Sequence, residues 1–99
     1  MDKEPVQPDF YELVSQNWEL EQLPSQWSLF VQTLKNKIRD LYQNEPERLL
    51  QILYRLDVPE EQFIYATQLE NIDETVQYLT QKVVDRELKR YHFRKNYKG

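Results

Sequence analysis

The chain has 99 residues, 39% of them hydrophobic and 30% charged, with a formal net charge of -4. It carries no cysteine, one histidine and one glycine, and the glycine is the last residue. The length admits one small domain, and the missing side chains exclude a disulfide scaffold, a thiolate zinc site, a cysteine nucleophile, a mechanism needing two imidazoles and a glycine-rich phosphate loop.

Scarcity of glycine also speaks about structure. Tight hairpin turns use positive φ angles, which glycine adopts cheaply, and no Asn-Gly, Asp-Gly or Gly-Gly pair occurs. Leu, Glu, Gln, Lys and Arg, all good helix formers, dominate instead. The pattern predicts an all-α, small single-domain bundle of four to five helices, punctuated by prolines.

Residues 1–8 hold Pro5 and Pro8 with few large apolar groups and are expected to form a mobile arm. A first helix is expected over residues 9–22, with Asp9 as N-cap, Glu12 completing a capping box, and Phe10, Leu13, Val14, Trp18 and Leu20 as its apolar positions. Pro24 separates it from a stronger second helix capped by Ser25. There Trp27, Phe30, Val31, Leu34, Ile38, Leu41 and Tyr42 form one stripe at steps of three and four, while Lys35, Lys37, Arg39 and Asp40 fall off it.

Pro46 suits the first turn of a third helix, with Asn44 as its cap. Leu49, Leu50, Ile52, Leu53 and Leu56 give this helix so broad an apolar surface that it is expected at the centre, or in a dimer contact. Asp57-Val58-Pro59 stops it. Pro59-Glu60-Glu61 reads as a fresh start, with acids complementing the helix dipole. Phe63, Ile64, Ala66, Thr67 and Leu69 should then face inward, and this helix should end near Glu70. Asn71 with Glu74 is a second capping box, with Asp73 as a competing cap. The last helix carries Val76, Leu79, Val83, Leu88 and Tyr91, with Tyr78 and Val84 at the margins of its stripe. The pattern fades after Tyr91. The expected division is an arm at 1–8, a helical domain at 9–93 and a frayed basic tail at 94–99. The expected core is Trp27, Phe30, Leu34, Ile38, Leu41, Leu49, Leu53, Leu56, Phe63, Leu69, Val76, Leu79 and Val83.

The net charge conceals a division. Residues 82–99 carry seven Lys/Arg against two acids, a net +5, whereas residues 1–81 carry six bases against fifteen acids, a net -9. Two blocks concentrate the acids: residues 1–23 hold six against Lys3 alone, and residues 57–74 hold six with no base. One reading is internal, in which the basic helix end complements its own dipole and lies beside the chain's acidic segments. The other is a binding tail. Lys89, Arg90, Tyr91, Phe93, Arg94, Lys95 and Tyr97 interleave cations with aromatic rings, and His92 lies among them. Such a mixture suits an acidic protein partner, or RNA and the ribosome through phosphate pairing and base stacking. Overall acidity opposes a dedicated DNA-binder.

Catalytic constellations are scarce. The lone His92 has Lys89 three residues before it, so no Glu-x-x-His di-iron motif exists. The adjacent acid pairs Glu60/Glu61 and Asp73/Glu74 point apart on a helix, and both are explained as helix-start acids. Asp85/Glu87 completes the set of paired carboxylates, and a carboxylate-only acid–base or magnesium site is the one chemistry left open. Trp18 and Trp27 read as core anchors. Tyr11, Tyr42, Tyr54, Tyr65 and Tyr78 are too many for one small core to bury, and exposed tyrosine enriches interfaces. No cofactor is expected, and the chain reads as a non-enzymatic protein-interaction module.

No stretch approaches the roughly 18 apolar residues of a membrane span. Met1-Asp2-Lys3-Glu4 begins no apolar block, so neither a membrane nor a signal peptide is expected, and the default location is cytoplasmic. The run Leu49-Leu50-Gln51-Ile52-Leu53-Tyr54-Arg55-Leu56-Asp57-Val58-Pro59-Glu60 resembles a helix and turn in short helical proteins of Bacteroidetes bacteria. So does the basic closing helix Val83-Val84-Asp85-Arg86-Glu87-Leu88-Lys89-Arg90. The resemblance covers about the second half of the chain. It implies a bacterial cytoplasmic protein of this length and transfers no functional residue, because no activity is attached to those proteins.

Overall fold

A computed structural model describes residues 6–96 of the chain, and side chains as far as Arg94. Within them lie five helices: α1 (Pro8–Trp18), α2 (Trp27–Asn44), α3 (Pro46–Arg55), α4 (Glu60–Thr67) and α5 (Ile72–Asn96). The all-α bundle expected from glycine scarcity and helical periodicity is what forms, and no strand occurs among the described residues.

The stripe on α2 makes the centre. Phe30, Leu34, Ile38 and Leu41, spaced by four, four and three, are completely buried, as one apolar face of a 3.6-residue repeat should be. Against them lies α5, through Val76, Leu79 and Val83. Leu49, Ile52 and Leu53 bring α3 onto α2. Ala66 is the one buried residue of α4, and its short side chain lets the helix backbone approach α5, where Thr75 donates its hydroxyl to the Ala66 carbonyl at 2.6 Å. Pro46 accounts for the single-residue joint between α2 and α3: it pushes the preceding residue out of the helical region, and Glu45 lies at φ -143°, ψ 62°.

The first helix is a larger part of the core than its sequence suggests. Phe10, Tyr11, Val14 and Trp18 are all buried. Phe10 packs edge-on against Phe30 and Tyr91, with ring centroids 5.3 and 5.2 Å apart. Each such side chain contributes roughly 1.5–3 kcal/mol on burial. Trp27, Phe63 and Leu69, expected inside, are only half-buried, and Ile64 and Thr67 are exposed. The eight residues of α4 offer α5 a narrow line of contact, so Ile64 and Tyr65 are exposed, while Phe63 packs partly against the core beside Tyr42, with ring centroids 6.2 Å apart.

Boundaries shift in three places. Val6 is buried and Pro8 opens α1, so the expected arm at 1–8 gives its last residues to the fold; residues 1–5 lie outside the described ones. Helix α1 stops at Trp18 rather than near 22, because Glu19 takes the left-handed conformation at φ 53° and Leu20 N–H turns back to the Ser15 carbonyl at 3.0 Å. At the far end α5 runs to Asn96, past the expected boundary at 93. Apolar periodicity fades after Tyr91 because His92, Phe93 and Arg94 are exposed, and the helix continues without proline or glycine.

Candidate docking surfaces

Between α3 and α4 the chain turns sharply. Asp57 is left-handed at φ 64°, a conformation that Asp tolerates better than most residues. The Val58 N–H closes the end of α3 on the Leu53 carbonyl at 3.0 Å. Pro59 then sits at the cap of α4, where its missing N–H costs nothing. From α5, Arg86 holds the turn: its Nε donates to the Leu56 carbonyl at 3.1 Å, and its Nη2 lies 3.8 Å from Asp57. A cation there also complements the C-terminal end of α3.

This turn leaves a groove of about 300 Å³ between the outer faces of α3 and α4. Leu50, Leu53, Tyr54, Val58 and Phe63 form its walls, and Gln51 and Glu60 its polar edge. Tyr54 is 82% exposed. A recess of about 350 Å³ beside α2 and α5 is more mixed, setting Trp27 and Val84 among Lys35, Gln77, Thr80 and Gln81.

The second surface is the outer side of α5. Lys82, Arg86, Lys89 and Phe93 follow one another by four, three and four residues, which places them along one face. Arg90 and Arg94 flank them, and Lys82 lies over the Tyr78 ring at 5.2 Å. Of the residues singled out in the sequence, Lys89, Arg90, Phe93 and Arg94 are exposed here. Tyr91 is not part of this surface. It is buried against Phe10 and donates its hydroxyl to Asp9 Oδ1 at 2.9 Å. A basic run read as a string is divided by the helix, and position 91 repeats the inward positions 83 and 87. Tyr97 and the side chain of Lys95 lie outside the described residues.

Some of the opposed charge is used internally. Arg86 meets Asp57 as above, Arg48 pairs with Glu19 and, at 3.6 Å, with Glu45, and Arg39 pairs with Asp73. The Arg39 hydrogen bond and charge hold the Asp73 carboxyl below its usual range, with a smaller contribution from Lys35. These pairs are exposed, and each is worth little in water.

Glu87 is the one polar centre that charge reading missed. Only 4% exposed, it accepts hydrogen bonds from Trp18 Nε1 at 3.2 Å and Asn17 Nδ2 at 3.5 Å. Burial pushes its carboxyl above the usual value, and the two donors and nearby Arg90 only partly offset that shift. The signal was present: Val83, Glu87 and Tyr91 are successive steps of four. The recess beside Glu87 measures about 20 Å³, room for one water rather than a substrate.

Among the described residues no group of three His, Cys, Asp or Glu is placed to hold a metal ion, and no helix is long and apolar enough to cross a membrane. Comparison with known families, curated proteins and solved structures returns no match to this chain.

Proposed function

We propose that the chain is a non-enzymatic protein-interaction module that docks a partner through the α3–α4 groove and the basic outer side of α5. The carrying observation is the groove, whose walls are large apolar side chains and whose Tyr54 stands 82% exposed beside them. Amphipathic rings that keep one edge in water suit interface anchors. The acid most perturbed by burial, Glu87, supports the same reading from the opposite side, because it lies in a recess too small for a substrate and is committed to joining α1 to α5. The placement in a bacterium rests on the sequence resemblance alone.

RNA or ribosome association is the second reading. The exposed Lys89, Arg90, Phe93 and Arg94, with half-buried Lys82 in the same row, favour it. Capture from native extract with and without nuclease treatment separates the two. Protein docking predicts captured proteins that survive nuclease and are lost with Tyr54→Ala. RNA binding predicts recovered RNA that falls steeply with salt and is lost with Lys89→Glu/Arg94→Glu. Identical capture by wild type and all variants would contradict both readings.

A further inference from the structure

We propose that the groove between α3 and α4 receives the basic end of α5 from a second copy of this chain. The inference rests on the docking reading above and names the occupant. The groove suits one large apolar side chain with cations beside it. Its walls are apolar and Glu60 stands at its edge; segment 57–74, which supplies Val58, Glu60 and Phe63 to it, holds six acids and no base, of which Asp57 and Asp73 are already paired with Arg86 and Arg39. The chain itself carries a matching segment. Phe93 is 69% exposed, Lys89 precedes it by one helical turn, and Arg90 and Arg94 are its neighbours. Opposite charge on the two surfaces favours this pairing and its orientation.

The donor must be another molecule. Arg86 is fixed at the α3–α4 turn by Leu56 and Asp57. Phe93 lies seven residues further along an unbroken helix, about 10 Å beyond Arg86 on the axis. A continuous helix cannot fold back to seat its own Phe93. Groove and ridge are different patches, so the contact is heterologous. One anchored ring and a few rim ion pairs make a small interface of the weak, transient kind.

Sedimentation velocity over a concentration series reaching about 1 mM tests this. The runs are made at about 0.01 M salt and at about 1 M, where the Debye length falls from about 30 to about 3 Å. The expected result is a sedimentation coefficient that rises with concentration at low salt and rises less at high salt. The groove variant Tyr54→Ala/Glu60→Lys and the ridge variant Phe93→Ser/Lys89→Glu should each sediment as monomers. An equimolar mixture of the two should associate again, because one keeps the ridge and the other the groove. All four positions are exposed, and unchanged helical circular dichroism checks the fold; the single reversals Glu60→Lys and Lys89→Glu serve if a double variant loses helicity. A wild type that stays monomeric throughout, variants that associate like the wild type, or a mixture that stays monomeric would each overturn the proposal. None of these results alters the capture experiment, which tests docking of a different protein.

Discussion

Glu87 shows what a single buried side chain does to this molecule. A carboxylate taken out of water is costly unless it is hydrogen-bonded, and here Trp18 and Asn17 supply the donors. Burial still dominates and raises its pKa above the ordinary value of 4.5. The folded state therefore holds this proton more tightly than the unfolded chain does. The resulting stability is fully present below pH 4.5, declines as pH rises through the raised folded value, and is gone above it. Glu87→Gln keeps the shape and an acceptor for Trp18 but has no proton to lose. Urea unfolding of both proteins between about pH 4 and about pH 8 should show the wild type losing stability relative to Glu87→Gln as pH rises. Parallel stability curves would contradict the assignment. In the sequence, Asp85/Glu87 stood only as one of three pairs of carboxylates. The spacing from Val83 to Glu87 to Tyr91 placed only one of the two inside, because the helix turns adjacent residues to different sides.

Among the elements, those with an uninterrupted stripe were the readable ones. The rows Phe30–Leu34–Ile38–Leu41 and Val76–Leu79–Val83 are buried as their periodicity requires, and Pro46 and Pro59 fall at helix starts. Asn71 is the cap of α5, with its Oδ1 accepting the Glu74 N–H at 2.9 Å. Asn71→Ala should cost about 1 kcal/mol, read as a lower urea midpoint with an unchanged slope; no change in midpoint would mean the cap is supplied by another group. Other ends were hidden. Asp9, Ser25 and Asn44 are plausible caps by residue type, yet α1, α2 and α3 begin after Gln7, Gln26 and Glu45, with no side-chain cap bond. With the only glycine at position 99, the left-handed turns fall to Glu19 and Asp57. Asp57 is a residue type that tolerates such a turn, but Glu19 is not one that announces it, so the stop of α1 at Trp18 could not be read locally. The outward face of α4 was also hidden, since it depends on how much of the helix α5 covers.

At the scale of the whole molecule, α1 and the end of α5 stabilise each other through Phe10, Tyr91, Trp18 and Glu87. The candidate tail is therefore partly core. Truncation after Lys89 removes Tyr91, and loss of a buried aromatic side chain costs roughly 3–5 kcal/mol. That truncated chain should melt well below the Phe93→Ser/Lys89→Glu variant, which leaves Tyr91 in place; equal melting temperatures would contradict a structural role for Tyr91. The division of charge into acidic and basic parts was evident in the sequence. Which charges pair internally was not, because Arg86 with Asp57, Arg39 with Asp73 and Arg48 with Glu19 join positions 29 or more residues apart. The groove was equally hidden, being a product of two helix faces meeting at one turn.

The proposed docking uses exposed side chains, whereas buried Glu87 joins α1 to α5. The most direct measurement compares the proteins captured from nuclease-treated native extract by Glu87→Gln and by Tyr54→Ala, with wild type alongside. The expected result is a wild-type profile for Glu87→Gln and loss of the captured proteins for Tyr54→Ala. An unchanged profile for Tyr54→Ala, with loss confined to Glu87→Gln, would contradict it.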